Sequence, residues 1–523
     1  FLTINGNGYT VINSLGAQGS ATGTDLQGMS GNLAGYYALG SNIDASATST
    51  WNAGEGFVPV GDSTTNFTGT FDGLGHTITG LTINMPAQDY VGLFGYAGAG
   101  SILKNVGLLN GSVTGVNYVG GLVGENDGAI TNSYSTGAVT GSSDADAVAV
   151  GGLVGLNYYG TITNSYSTGA VTGSGDEVGG LVGFNYNGTI TNSYSTGAVS
   201  GKNYVGGLVG YNNGGTTTYS YWDKETSGWA TSDGGTGLTT ALMKTMSSFI
   251  NWDIANSGGS SAIWRIYEGN TYPLLRSFLT PLTVTANADS KTYDGLAYSG
   301  GNGVTYSIAS PTLLGTLAYS GTSQGAINAG NYTITPGCYY SDQQGYDITN
   351  ADGALTINPA SLSITANADS KTYDGIAYSG GNDVTYTGFV NGETSSVLGG
   401  TLTYGGTSQG AINAGSYDIT PGGLTSGNYD ITNADGALTI NPEQTTTSTI
   451  TILDMYQIMN TEKITDTKNF NDTIVIAGTS DAGLFTARAL NYEIEQTVFG
   501  YQPDDEDKKI ERQKREQKIE KGK

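Results

Sequence analysis

The side chains able to move protons or hold metals are few and scattered. The only imidazole is His76, in Asp72-Gly-Leu-Gly-His-Thr-Ile78, and the only thiol is Cys338. A lone histidine supplies neither a His-Glu-x-x-His zinc site nor a multi-histidine ligand set, and a lone cysteine closes no disulfide within the chain. Gly321-Thr-Ser-Gln-Gly325 and Gly406-Thr-Ser-Gln-Gly410 spell the Gly-x-Ser-x-Gly of a serine-hydrolase elbow. That elbow needs a strand–turn–helix setting and a histidine base, and both stretches have strand-like flanks and no histidine. Carboxylates are the remaining chemistry. Asp62, Asp72, Glu125, Asp127, Asp176 and Glu177 are the candidates for an acid and base pair of the kind that cleaves glycosidic bonds. They fall in turns or at variable repeat positions, and Lys104 and Lys202 are the only basic residues of that region available to a substrate carboxylate. Asp144 with Asp146, Asp289 with Asp294, and Asp369 with Asp374 offer oxygens to calcium, but none has EF-hand or Gly-Gly-x-Gly-x-Asp spacing. The reading is a chain with no catalytic residue, no metal ligand and no cofactor.

Composition narrows the class. A net charge of −25 lacks the Lys/Arg footprint that phosphate backbones require, and equally the polybasic patch of a membrane-surface contact. With 84 glycines, 35 tyrosines and only 12% charged residues, the chain favours short strands and turns over helices. No apolar run is long enough to span a bilayer. Phe1-Leu-Thr-Ile-Asn-Gly6 reads as the middle of a strand–turn pattern, so the expectation is that the sequence opens inside a larger protein.

Two repeat systems must position whatever chemistry exists. Val-Gly-Gly-Leu-Val-Gly recurs at 119–124, 150–155, 178–183 and 205–210, with starts 31, 28 and 27 residues apart and a degenerate copy at Val91. Ile-Thr-Asn-Ser-Tyr-Ser-Thr-Gly-Ala-Val recurs from Ile130, Ile162 and Ile190. A unit of about 28 residues cannot bury its own apolar face, so stacked units must share one column of Val, Leu and Ile. Alternation along Ile130, Asn132 and Tyr134 places these three on one strand face. The glycines serve as corners of positive φ or as places of close coil approach. Asn126, Asn157, Asn185 and Asn212 are aligned for a hydrogen-bonded ladder, whereas the preceding Glu125, Leu156, Phe184 and Tyr211 vary freely and are read as facing out. Tyr134, Tyr166, Tyr194 and Tyr221 form a series read as an internal or lateral stack in preference to a sugar-stacking stripe.

The Gly-Gly-Leu-Val-Gly-x-Asn and Ile-Thr-Asn-Ser-Tyr-Ser-Thr-Gly segments resemble the GLUG repeat of bacterial surface proteins. Upstream, Tyr37-Ala-Leu-Gly-Ser-Asn-Ile-Asp-Ala45, Gly56-Phe-Val-Pro-Val-Gly61 and Phe67-Thr-Gly-Thr-Phe-Asp-Gly-Leu-Gly-His-Thr-Ile78 resemble the segment preceding such repeats in filamentous-haemagglutinin-like exoproteins. The resemblance implies a β-helical stalk, secretion by the two-partner route through an outer-membrane transporter, and a place on the bacterial cell surface.

A second system spans two longer units. Ala286-Asn-Ala-Asp-Ser-Lys-Thr-Tyr-Asp-Gly295 recurs from Ala366, Gly321-Thr-Ser-Gln-Gly-Ala-Ile-Asn-Ala-Gly330 from Gly406, and Asp347-Ile-Thr-Asn-Ala-Asp-Gly353 from Asp430, at shifts of 80 to 85 residues. Each unit has the size of a small domain, and alternating strands with Gly/Asn/Asp turns predict a β-sandwich or β-grasp. Both resemble the MBG module. Asn358-Pro359 leaves almost no linker between them, which favours a stiff joint. Between the systems, Leu238–Met246 has helical spacing, and Trp252, Trp264 and Tyr272-Pro-Leu-Leu275 are read as a cap closing the open end of the column. After Pro442 a strand at Thr473–Ala477 and helical runs at Leu453–Met459 and Ala487–Val498 precede a tail of mixed charge from Asp504 to Lys523.

The predicted architecture is all-β: a parallel β-solenoid, two small β modules and a partly helical charged tail. Its segments are a β-helical start (1–84), repeats (85–222), cap (223–279), modules (280–360 and 361–442) and a C-terminal part (443–523). The function this implies is an extracellular adhesin stalk meeting a glycan or protein of a host or neighbouring cell, with no nucleic acid partner. A purely structural spacer and a carbohydrate-active β-helix enzyme are the alternatives.

Overall fold

In the computed structural model, residues 2–142 and 149–445 are described, together with a strand pair at Val475–Ile476 and Phe485–Thr486. That pair falls within the strand expected at Thr473–Ala477 and beyond it; the expected helical runs and the charged tail lie outside the described residues, as do Asp144 and Asp146. The chain forms two compact units, Phe1–Asn358 and Pro359–Lys523.

Within the first unit the repeats wind into a β-solenoid of about seven turns. One coil contributes Val119–Gly120, Val123–Asn126, Ala129–Thr131, Tyr134–Ser135 and Ala138–Gly141, and each strand pairs in parallel with its equivalent one repeat later. The register is the sequence repeat itself: Val123 opposes Val154, which opposes Val182, which opposes Val209. Tyr36–Leu39 and Thr70–Asp72 join the same sheet as Ala129–Thr131, so the N-terminal segment continues the column. One apolar cluster runs unbroken from Ile12 to Trp222, with Leu122, Leu153, Leu181 and Leu208 all fully buried. No single coil encloses that interior, which is why the stack is the folding unit.

Asparagine, not glycine, makes the recurring corner between the third and fourth strands. Asn105, Asn132, Asn164 and Asn192 have φ of 54°, 50°, 50° and 50°, a left-handed conformation that Asn tolerates better than other residues bearing a Cβ. This corrects the strand expected over Ile130, Asn132 and Tyr134. The chain turns at Asn132, so Ile130 points into the core while Tyr134 begins a new strand and faces the flank. The paired glycines serve close approach instead. A Cβ on Gly152 would collide with the Ser167 hydroxyl and with the Gly180 carbonyl of the next coil.

Residues 223–279 do more than close an end. Thr236–Leu238 adds a parallel strand to Tyr221–Asp223, and the Trp229 indole donates to the Val199 carbonyl at 2.8 Å, covering the last coil. Helical structure at Leu238–Met246 is confined to Thr240–Met243 and Met246–Ser248. The chain then returns along the flank. Phe249, Trp252, Trp264 and Phe278 lie in turn against Tyr221, Tyr194, Tyr166 and Tyr134. The tyrosine rings stack on one another 4.8 Å apart with interplanar angles of 1° and 6°. This ladder is a lateral stack sealed by the connector.

The first module has a three-stranded sheet (Val304–Tyr306, Thr280–Ala286, Tyr346–Ala351) and a four-stranded one (Asp289–Thr292, Gly353–Asn358, Gly330–Tyr340, Leu314–Ser320). The second repeats both, from Ala360–Ala366 to Gly436–Asn441. Neither contains an α-helix among its described residues, so the sandwich-like alternative fits better than a helix-bearing grasp. The first module is held to the solenoid flank. Gln344 donates to the Tyr134 hydroxyl at 2.6 Å, and the Tyr166 hydroxyl donates to Gln343 at 3.1 Å. Asp347 ion-pairs with Arg265 at 3.3 Å and also with Arg276 of the connector.

Candidate functional site

A face of the solenoid other than the sealed ladder carries tyrosines, several of them exposed, among buried or half-buried carboxylates. Its first column consists of Tyr90, Tyr118, Ala149, Glu177 and Tyr204, each just before the valine that stacks from coil to coil. Tyr90, Tyr118, Glu177 and Tyr204 have φ of 59°, 53°, 61° and 46°. A bulky side chain in that region costs of the order of 1 kcal/mol and projects from the corner. The second column stacks Tyr96, Glu125, Leu156, Phe184 and Tyr211 in register. Tyr158 and Tyr186, paired across neighbouring coils, begin a third.

The rings make a nearly continuous surface. Tyr90 lies 5.1 Å from Tyr118 and 5.9 Å from Tyr96. Tyr158 stacks on Tyr186 at 5.2 Å, Tyr159 meets both edge-on, and Phe184 and Tyr204 flank Tyr211 at 5.2 and 4.9 Å. Tyr159 and Tyr204 are each 58% exposed. This corrects the reading that the second column faces out: Glu125 and Leu156 are buried, and Phe184 and Tyr211 are only partly exposed.

Carboxylates fill the gaps. The Tyr96 hydroxyl donates to Asp127 at 2.9 Å, and Asn203 donates to Asp176 at 2.7 Å. Burial, reinforced by the Asp127 charge, pushes Glu125 up to about 7. Burial and then Asp176 push Glu177 up to about 7, and burial raises Asp127. The Tyr118 phenol is raised by burial and then by the charges of Glu125, Glu177 and Asp89. Three buried acceptors here, Asn117 Oδ1, Asp127 Oδ1 and Glu177 Oε2, have no hydrogen-bond partner among the described residues. The arrangement can accept hydrogen bonds beside flat apolar rings.

Of the six carboxylates singled out for glycosidase chemistry, the structure gathers Glu125, Asp127, Asp176 and Glu177 on this face. Asp62 caps a turn through Thr64 and Thr65. Asp72 is held by Lys104 at 3.2 Å and Asn105 at 2.9 Å. The module acids are engaged locally: Asp294 with Lys291 at 2.6 Å, Asp374 with Lys371 at 2.7 Å, and Asp289 and Asp369 with Tyr298 and Tyr378. Ser323 and Ser408 are fully buried, each bonded to the glutamine that follows it. His76 sits in a turn closed by its own amide on the Gly73 carbonyl. Sequence reasoning missed the tyrosines of the face. The signal was present in Asn-Tyr at two of the four ladder asparagines, Asn157 and Asn185, and in Tyr118 and Tyr204 before Val-Gly-Gly.

The GLUG motif matches residues 115–140, 146–172 and 174–200, each stretch tracing one coil. The coils carry the GLUG motif. The MBG domain (YGX type) matches residues 362–439, the second module. Among curated proteins, the chain is 47% identical over 124 residues to Halomucin of Haloquadratum walsbyi, a match covering 23% of this chain and 1% of that protein. It is 38% identical over 82 residues to a protein of Evansella cellulosilytica provisionally named as a Gly-rich membrane protein, covering 15% of this chain and 10% of that one. The chain thus spans a small part of the relatives it matches. No solved structure matches it. No helix among the described residues is long and apolar enough to cross a membrane.

Proposed function

We propose that this GLUG-repeat protein acts outside the cell, on its surface, as an attachment protein whose contact face is the tyrosine–carboxylate surface of the solenoid. A single contrast carries the reading. The Tyr134–Tyr221 ladder is sealed under tryptophans, whereas Tyr158, Tyr159 and Tyr204 stay exposed on the other face. Exposed aromatic side chains in a row supply contact area at low cost in conformational entropy. The names of the two relatives, Halomucin and a provisionally named Gly-rich membrane protein, fit a surface setting. In this reading the face holds its partner without transforming it.

The test coats beads with the purified chain and counts their adherence to cells and to cell-wall material. Replacing Tyr158, Tyr159 and Tyr204 by serine should abolish adherence while leaving the circular dichroism unchanged. Undiminished adherence by that variant refutes the contact face, and a native chain that never adheres leaves a structural spacer.

A further inference from the structure

We infer that the face recognises an uncharged polysaccharide, laid along the coils with its hydroxyls donating to Asn117, Asp127 and Glu177. The inference rests on the attachment reading and names the ligand class of the same face.

The unmet hydrogen-bonding capacity is one-sided. Asn117 Oδ1, Asp127 Oδ1 and, once ionised, Glu177 Oε2 are all acceptors, and Glu177 is 7% exposed. A buried acceptor without a donor keeps its desolvation cost uncompensated, so a ligand that brings O–H donors recovers that cost. Sugars bring hydroxyls on their rims and apolar C–H faces that lie flat on tyrosine rings. Both complementary features occur here within neighbouring coils.

Charge selects among glycans. Asp127 is bonded to Tyr96, Asp176 to Asn203 and Asp89 to the Asn117 amide, Glu125 and Glu177 add charge as they ionise near pH 7, and the whole chain carries −25. A sulfated or uronic-acid polymer would bring like charge into a partly desolvated site, where repulsion is strongest. An acceptor set also suits a cation, but no three His, Cys, Asp or Glu side chains among the described residues are grouped to hold one.

Backbone conformation points the same way. The left-handed corner after the third strand uses Asn105, Asn132, Asn164 and Asn192, with Tyr219 in the last coil, and Asn187 takes the corner equivalent to Tyr159. Along this face, Tyr90, Tyr118, Tyr159 and Tyr204 occupy left-handed positions instead. Tyr159 and Tyr204 recover little of that cost through burial, since most of each ring faces solvent. Four such rings on one face, two of them open to solvent, supply a contact surface that a ligand can use.

The experiment screens the full chain against immobilised uncharged, uronic-acid and sulfated polysaccharides, then titrates the best binder by calorimetry, with EDTA present in a parallel series. Binding confined to uncharged polymers is expected. Tyr159→Ala combined with Tyr204→Ala should weaken it about tenfold, a loss of about 1.4 kcal/mol shared between two ring contacts. Glu177→Gln, which keeps the shape and replaces a free acceptor by a donor, should also weaken it. Preference for anionic polymers, binding abolished by EDTA, or release of reducing ends from the bound polymer would each overturn the inference. If no polysaccharide binds yet beads still adhere to cells, the glycan inference fails and the attachment reading stands. If adherence also fails, both fall.

Discussion

Asn126 and Asn157, 31 residues apart, are joined across neighbouring coils by a hydrogen bond from Nδ2 to Oδ1 of 2.8 Å. The same bond continues from Asn157 to Asn185 and from Asn185 to Asn212, each at 2.8 Å. Each amide also donates to a carbonyl of its own coil, at 3.1 Å from Asn157 to Gly160. The ladder satisfies polar groups inside the column and fixes the register of the coils, since a slip by one residue would orphan every member.

Asn157→Ala should therefore cost much more than its size suggests. It removes a bond from Asn126 and one to Asn185, leaving buried groups unsatisfied at about 1–3 kcal/mol each. Asn212→Ala, at the half-buried end of the ladder, removes its own bond to the Gly215 carbonyl and the one from Asn185, whose amide keeps the Gly188 carbonyl at 3.2 Å, and it breaks no onward link. Thermal unfolding followed by circular dichroism should show a clearly larger fall in Tm for Asn157→Ala. Equal falls would show that the ladder does not act as a chain.

The acidic face predicts an unusual pH response. Glu125 and Glu177 have an unfolded value of 4.5 and are pushed up to about 7 when folded. The folded chain thus holds these protons more tightly, so their contribution is fully present below pH 4.5 and is lost as pH rises to 7. Asp127 is raised in the same direction. Asp44, Asp62, Asp294 and Asp374 are lowered by hydrogen bonds and act in the opposite sense, but only at more acidic pH. Tm should fall between pH 5 and 7.5, and Glu125→Gln with Glu177→Gln should flatten that fall. An unchanged slope in the double variant would remove these two residues as its source.

Most of the architecture was legible because the register of the solenoid is the repeat in the sequence: the spacing of Asn126, Asn157, Asn185 and Asn212 already states the stacking. Corners were less legible. Asn132 lies within a run that alternates like a strand, and only its tolerance for positive φ marks the break. The lateral course of the connector was hidden, since Trp252 and Trp264 are equally suited to covering an end or a flank. The tyrosine face was missed because its columns mix Tyr with Glu, Leu and Phe, and attention to identical residues passes over a shared position with varied occupants.

The docking of the first module also left a trace. The chain from Pro336 to Tyr346 is two residues longer than its equivalent from Pro421 to Tyr429, and Gln343 and Gln344 lie in that longer stretch. Gln343 accepts from the Leu275 amide at 2.7 Å, donates to the Leu275 carbonyl at 2.8 Å and accepts from Tyr166. Gln343→Ala leaves three buried groups without it and should loosen the connector, whereas Gln409→Ala in the second module should not. Hydrogen exchange would report this as faster exchange at Leu275 and along 263–279. Unaltered exchange there would mean that the apolar cluster around Trp264 alone holds the connector.

Removing one oxygen from each of two stacked rings separates hydrogen bonding from stacking in the ladder. Tyr166 and Tyr194 are both buried, 4.8 Å apart and nearly parallel. The Tyr194 hydroxyl donates to the Pro273 carbonyl at 2.8 Å. Tyr194→Phe strips that carbonyl of its buried donor and should cost about 1–3 kcal/mol. The Tyr166 hydroxyl donates to a glutamine oxygen that also accepts from the Leu275 amide, so Tyr166→Phe leaves that acceptor satisfied and should cost under about 1 kcal/mol. Both variants keep the ring and its neighbours, so a common loss would have to come from altered stacking. Denaturant midpoints for the two variants, compared at fixed m, decide the matter: a larger loss in Tyr166→Phe would contradict the assignment of donors and acceptors on this flank.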